Sequence, residues 1–357
     1  MNNLKVGETV IMPNGVSRKI HKNVSYSKYG YLFLIPFFVI FIIFQLIPLG
    51  ETIGFSFFEY YYKLGLFQVG PTWNNFQNYI QLLAADSVFW QYAGNTIILW
   101  IIGAIPQFVF ALLFAVWFTD QRLKLKCTGF FKAVVYMPNL IMAAAFGYLF
   151  YMLFDTNGPI TMIVRALGWD IVFGQEVWAV RIIIALINIL MWTGNTCILL
   201  MSGIMGIDDS IFESARLDGA GGFRTFKDVT MPLLMPIFIY VFITSMIGGI
   251  QLFDAAQIFT QGKGGPLLSS NTLMMYLYTL ILNSRNYGLS GALSVLLFIA
   301  TAILSFIVFK TLAPTYNALK TEQKSRNKRN RWNRLNNKHY GEAMIYEARN
   351  ATNNEEK

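Results

Sequence analysis

Apolar runs without a single charged residue recur along this chain. Six of them, residues 29–50, 87–119, 133–154, 182–207, 229–253 and 286–309, contain no Asp, Glu, Lys, Arg or His. A helix needs about 20 residues to cross the hydrocarbon core of a bilayer, so each run predicts a membrane span. The second run exceeds one crossing, which places the start of its helix near Asn95, after a short interfacial segment. Residues 267–284 are a seventh uncharged stretch, but Ser269, Ser270, Asn271, Thr272 and Asn283 interrupt it and a Gly-rich turn precedes it. It reads as an interfacial or partly inserted segment.

The distribution of charge decides between six spans and seven. With six spans and an inside N-terminus, the inside segments carry 5 Lys and Arg in residues 1–28, 4 in 122–132, 3 in 216–227 and 11 in 310–357. The outside loops hold Lys63, Arg165, Lys263 and Arg285, with Arg181 at the edge of the fourth helix. Basic residues gather on the cytoplasmic side of membrane proteins, as they do in this arrangement. A seventh span would put the 11 basic residues of the tail outside. The sequence therefore predicts an all-α polytopic membrane protein with six transmembrane helices and cytoplasmic N- and C-termini. It divides into a basic N-terminal tail (1–28), a transmembrane domain (29–314) and a basic C-terminal tail (315–357). The first run is longer than a signal-peptide core and no clear small-residue cleavage site follows it, so it reads as a retained helix.

Composition agrees with that placement. Hydrophobic residues make up 55% of the chain and charged residues only 13%, against about a quarter in soluble proteins. The 16% of aromatic residues suits spans anchored at the headgroups. The net charge of +9 could suggest nucleic acid, but much of it lies in a Lys-, Arg- and Asn-rich tail with no folded reading surface. That tail reads as a solvated extension, for which membrane lipid headgroups are a conceivable partner and nucleic acid is not. Cys127 and Cys197 match no metal or redox spacing, and His21 and His339 lie in the polar tails. With no catalytic constellation and no metal site at membrane depth, the chain does not read as an enzyme.

Amides inside the spans need partners, because hydrocarbon offers none. Gln45, Asn95, Gln107, Asn139, Asn188, Asn195 and Gln251 are such residues. For each, packing between helices and contact with a solute both remain open. Asn188, Trp192 and Asn195 share one side of the fourth helix by their spacing. An aromatic face flanked by amides is what a sugar ring and its hydroxyls require. These three and Gln251 are the candidate lining of a substrate path.

The most informative stretch is the cytoplasmic loop of residues 208–232. Ser210 followed by Glu213 has the spacing of a capping box and predicts the start of a short helix, which Gly219, Gly221 and Gly222 end. The chain is then expected to re-enter the membrane at Pro232. A helix this short is marginal in water, so it must be held by packing. Glu213-Ser214-Ala215, then Gly219, then Val229-x-Met231-Pro232 strongly resembles the hallmark loop of ABC-importer permeases that work with a binding protein. Their pattern is Glu-Ala-Ala, three residues, Gly, nine residues, Ile-x-Leu-Pro. Ser214, Val229 and Met231 are mild departures from it. Asp218-Gly219-Ala220 and Phe226 are similar to the sugar-transporting branch, in the maltose, multiple-sugar and glycerol-phosphate permease family. Asn95-Thr96, Pro138, Tyr287-Gly288 and the Phe253-Asp254, Thr260 and Gly264-Gly265-Pro266 series agree with it. Gln261-Gly262-Lys263 makes the last gap two residues longer than the family's usual Thr-x-Gly-Gly-Pro.

The resemblance implies a type I importer permease fold and a division of labour. Glu213, Ala215, Asp218, Gly219, Ala220 and Pro232 would couple this subunit to an ATPase. Two ATP-binding subunits would hold ATP and Mg, and this chain would bind no cofactor. A second, different permease subunit would complete the path for a carbohydrate, with an oligosaccharide preferred. An extracytoplasmic solute-binding protein would touch the outer loops near Asp155, Gly158, Pro159, Gly265 and Pro266. Gly262-Lys263 is no P-loop, since Gln257 stands where the pattern needs glycine and Gly264 where it needs Ser or Thr. The alternative is a secondary transporter or channel for a small polar solute. Its ion-coupled form is disfavoured by spans nearly free of ionisable groups.

Overall fold

The computed structural model describes residues 9–11, 17–19, 27–120 and 126–312. The C-terminal tail and most of the N-terminal tail lie outside them. Within the described N-terminal part, Thr9–Ile11 pairs antiparallel with Ser17–Lys19. Five helices are long and apolar enough to cross a membrane: Tyr29–Phe55, Val88–Thr119, Val177–Met205, Gly222–Phe259 and Tyr287–Leu312. A bent pair, Thr128–Leu140 and Ala143–Ala166, makes a sixth if counted as one span.

The bend corrects the expectation of one straight third helix over 133–154. Its two halves meet at 92°. Pro138 has no N–H to continue an α-helix, and Met137–Leu140 tightens into a 3₁₀ turn. The Asn139 Nδ2 amide donates to the Met191 carbonyl on the fourth span at 3.0 Å, pinning the break to its neighbour. Ile141 and Met142 are then extended, and the helix restarts at Ala143. The second helix also differs from expectation. It begins at Val88, with the Ser87 hydroxyl accepting from the Phe89 amide, and not near Asn95. The early turns persist because Gln91 and Asn95 find carbonyl acceptors on an outer loop.

Prolines in the other spans are accommodated by widening. The first span passes through a π-turn at Ile42–Leu46 just before Pro48, and the fifth through one at Phe226–Thr230 just before Pro232. In each case the residue preceding the proline donates five positions back, to Ile42 and Phe226 respectively. The helix that carries the fifth span therefore restarts at Gly222, ahead of the expected re-entry at Pro232.

The second and fourth spans form the spine of the molecule. Around them, Leu99, Phe146, Phe150, Ile183, Ile184, Ile187 and Ala256 make one apolar cluster. Phe108, Ala111, Leu200, Leu234 and Val241 make a second cluster with the fifth span. A third, with Leu82, Leu273, Leu289 and Leu293, brings in the sixth span. The first span contributes to none of them, and its apolar stretch has no buried residue.

The outer segment between the first two spans holds a β-hairpin, Phe58–Lys63 against Phe67–Trp73, a departure from purely helical architecture. Phe57 stacks on Trp73 at 5.7 Å, and Asn78 Nδ2 donates to the Ser56 and Phe58 carbonyls, both at 2.9 Å. The seventh uncharged stretch divides into a loop and a short apolar helix, Leu273–Asn283, too short to cross a bilayer.

Candidate functional site

A cavity of about 170 Å³ lies between the second, fourth and fifth spans. The fourth span supplies Asn188, Trp192 and Asn195, so the three residues grouped by spacing do line one space. The second span adds Trp100 and Gln107, and the fifth adds Thr244 and Ser245. No ionisable side chain is among the lining residues. Gln251, the fourth candidate, caps the C-terminal end of Met231–Ile250 and is exposed outside this lining, where Leu252 takes part instead.

The polar groups of the cavity differ in how far they are already committed. Gln107 Nε2 donates to the Thr196 hydroxyl at 2.9 Å, and Asn188 Nδ2 to the Ile184 carbonyl at 2.9 Å. Thr244 bonds back to the Tyr240 and Val241 carbonyls of its own helix. The Asn195 amide and the half-exposed Trp192 ring make no such bond to the described residues. Trp100 was missed from sequence. Its indole N–H is shielded and has no protein acceptor, and its ring lies on the Cα of Gly249 beside Phe242. The legible signal was Trp100 and Gln107 at helical spacing on one face, with Gly103 and Ala104 between them. Two indole rings and uncharged donors and acceptors suit a neutral polyhydroxyl solute, and nothing in the lining supplies acid–base chemistry.

The helix of the 208–232 loop runs Asp209–Leu217, and none of its residues is buried. Its start corrects the expected Ser210–Glu213 capping box. The cap is Asp208, whose carboxylate accepts from the Ser210 amide at 2.9 Å. That charged acceptor, two residues ahead, leaves Ser210 inside the helix. Bonding from the Ser210 amide and hydroxyl holds the Asp208 carboxyl below its ordinary range. Glu213 is exposed and makes no hydrogen bond or ion pair with the described residues.

The helix ends in a Schellman turn. The Ala220 amide donates to the Ala215 carbonyl at 2.9 Å and the Gly219 amide to Arg216 at 3.0 Å. Asp218 is the C-cap and Gly219 takes the left-handed position at φ +76°. Phe212 packs toward the inner apolar cluster and Ala215 is half-buried, so one side of the helix is anchored to the chain itself. Away from that anchorage, Leu217 is 89% exposed and Phe223 80%. Neither residue had been singled out from sequence.

Asp155 and Gly265 line one crevice of about 320 Å³ together with Lys263. The two outer stretches picked from sequence are therefore neighbours in space. Gly158 closes a turn, its amide donating to the Asp155 carbonyl at 2.8 Å, and Pro159 opens the next helix. Pro266 begins a 3₁₀ turn after Gly265 at φ +69°.

Residues 82–317 match the binding-protein-dependent transport system inner membrane component family. The chain belongs to that family. This permease is 30% identical to the lactose transport system permease protein LacF of Rhizobium radiobacter over 292 residues, 80% of this chain and 94% of the relative. It is 28% identical to the multiple sugar-binding transport system permease protein MsmF of Streptococcus mutans, covering 80% of this chain and 95% of that one. Its fold is that of a bacterial ABC transporter chain involved in import of the acidic polysaccharide alginate. The TM-score is 0.66 at 18% identity, covering 81% of this chain and 96% of that chain. The permease is thus a multi-pass inner-membrane subunit of a binding-protein-dependent ABC importer, and is not itself an enzyme.

Proposed function

We propose that this permease forms half of the translocation path for a carbohydrate, an oligosaccharide in preference to a single sugar. The supporting observation is the uncharged cavity in which Trp100 and Trp192 accompany Asn188 and Asn195. A second, different permease subunit supplies the other half of the path. Two ATP-binding subunits carry ATP and Mg and receive the Asp209–Leu217 helix, whose exposed Leu217 and the nearby Phe223 offer apolar surface for a groove. Outside, a solute-binding protein delivers the sugar to the face that carries Asp155 and Gly265. Both termini lie in the cytoplasm.

The test is uptake of labelled oligosaccharides into proteoliposomes holding the whole transporter. Transport that needs internal ATP and the external binding protein supports the assignment. Uptake driven by a proton or sodium gradient without ATP would refute it in favour of a secondary carrier.

A further inference from the structure

Arg181 lies in the second turn of Val177–Met205, a helix with no other charged residue. Its guanidinium meets no carboxylate among the described residues and works as a fork instead. Nη2 donates to Asn95 Oδ1 on the second span at 2.8 Å, and Nε donates to the Ser269 carbonyl of the outer loop at 3.1 Å. The Trp178 ring supports the fork from one side, with its centroid 5.2 Å from the guanidinium carbon. Asn95 is itself buried and spends its Nδ2 on the same loop, donating to Leu268 at 2.8 Å and Asn271 at 3.2 Å.

The second and fourth spans therefore grip one short stretch of the loop through three hydrogen bonds, and a fourth ties Arg181 to Asn95. That stretch needs gripping. Gln261, Leu267 and Leu268 all have positive φ without being glycine, in company with Gly262, Gly264 and Gly265. Such backbone persists only where its surroundings over-determine it. A lysine at 181 would keep the charge but lose this geometry, because only the planar guanidinium presents its donors as a rigid fork.

We infer that Arg181 is a positioning residue for the solute-binding protein: it holds residues 264–272 in the one register that the binding protein engages. The inference rests on the assignment of Gly265 and Pro266 to that docking face. Without the fork the loop must be ordered during docking, which weakens association. The cavity and the cytoplasmic helix do not contain Arg181 and keep their function.

The experiment uses the whole transporter in nanodiscs, with ATPase rate followed against solute-binding protein concentration for wild type, Arg181→Lys and Arg181→Met. The half-stimulating concentration should rise about tenfold in both variants. Basal and maximal rates should stay within about twofold. Adding Asn95→Ala to Arg181→Met, which removes the two Asn95 bonds to the loop, should shift the curve further in the same direction. A variant that merely assembled less well would lower the maximal rate at an unchanged half-stimulating concentration, and that result overturns the inference. Superimposed wild-type and Arg181→Lys curves overturn it too. Should wild type itself show no stimulation, the importer assignment fails and carries this inference with it.

Discussion

Gly194 of the fourth span lies against the bend of the third so closely that a Cβ there would stand 2.5 Å from the Val135 carbonyl oxygen and 2.7 Å from the Tyr136 Cα. In a membrane the approach of two helices is driven by packing and hydrogen bonds more than by the hydrophobic effect, so a missing side chain at a crossing has direct value. The crossing falls between Trp192 and Asn195, and it fixes how both face the cavity. Because the clash is with backbone, no rotamer relieves it. Gly194→Leu should destabilise the permease by at least about 1–3 kcal/mol. A lower thermal midpoint in detergent and a smaller assembled yield would register it; an unchanged midpoint would contradict this crossing.

Asn195 offers a separation of binding from folding. Its amide has no partner among the described residues, so Asn195→Ala removes no internal bond. Thermal stability should stay at the wild-type value while KM for uptake rises about tenfold, the cost of one good hydrogen bond to a solute. Trp192→Ala should be more severe, and Trp192→Phe intermediate. Gln251→Ala, outside the cavity lining, should leave KM unchanged.

At Gly219 the requirement is one of backbone conformation and not of space. Its φ is +76°, yet a Cβ would meet nothing within 4 Å. Gly219→Ala should therefore cost about 1–2 kcal/mol of helix-end stability, and Gly219→Val more, because a β-branched residue avoids this region. Gly219→Asn should restore most of the function, since asparagine tolerates the left-handed turn. The readout is the amount of ATPase subunit retained during purification.

The cap at Asp208 gives a pH signature with a definite sign. A carboxyl whose folded pKa is lowered contributes stability above its unfolded pKa and loses it as pH falls through the folded value. Association with the ATPase should accordingly be flat across neutral pH and decline only in acid. Asp208→Ala should weaken it at every pH, while Asp208→Ser, another good cap, should retain it and flatten the acid decline.

The runs of uncharged residues showed the spans, and the Glu213–Pro232 spacing showed the family, because both are properties of local chain chemistry. What the sequence concealed depends on contacts between distant residues. Pro138 marked a weak point in the third helix, but the 92° break also involves the Asn139 bond to Met191 on another span. The second helix was expected to start near Asn95 because its uncharged run exceeds one crossing. Gln91 and Asn95 in fact hold the loop at Leu267 and Leu268. Asn188, Trp192 and Asn195 could be grouped on one helix, whereas Trp100 joined them only when the second span packed alongside.

The most direct test isolates this chain in mild detergent from its own membrane and identifies by mass spectrometry what accompanies it. The account predicts a second permease subunit and a P-loop ATPase, with the ATPase lost when Gly219 is replaced by valine. Recovery of the chain alone or as a homodimer, with no ATPase even after cross-linking, would contradict it.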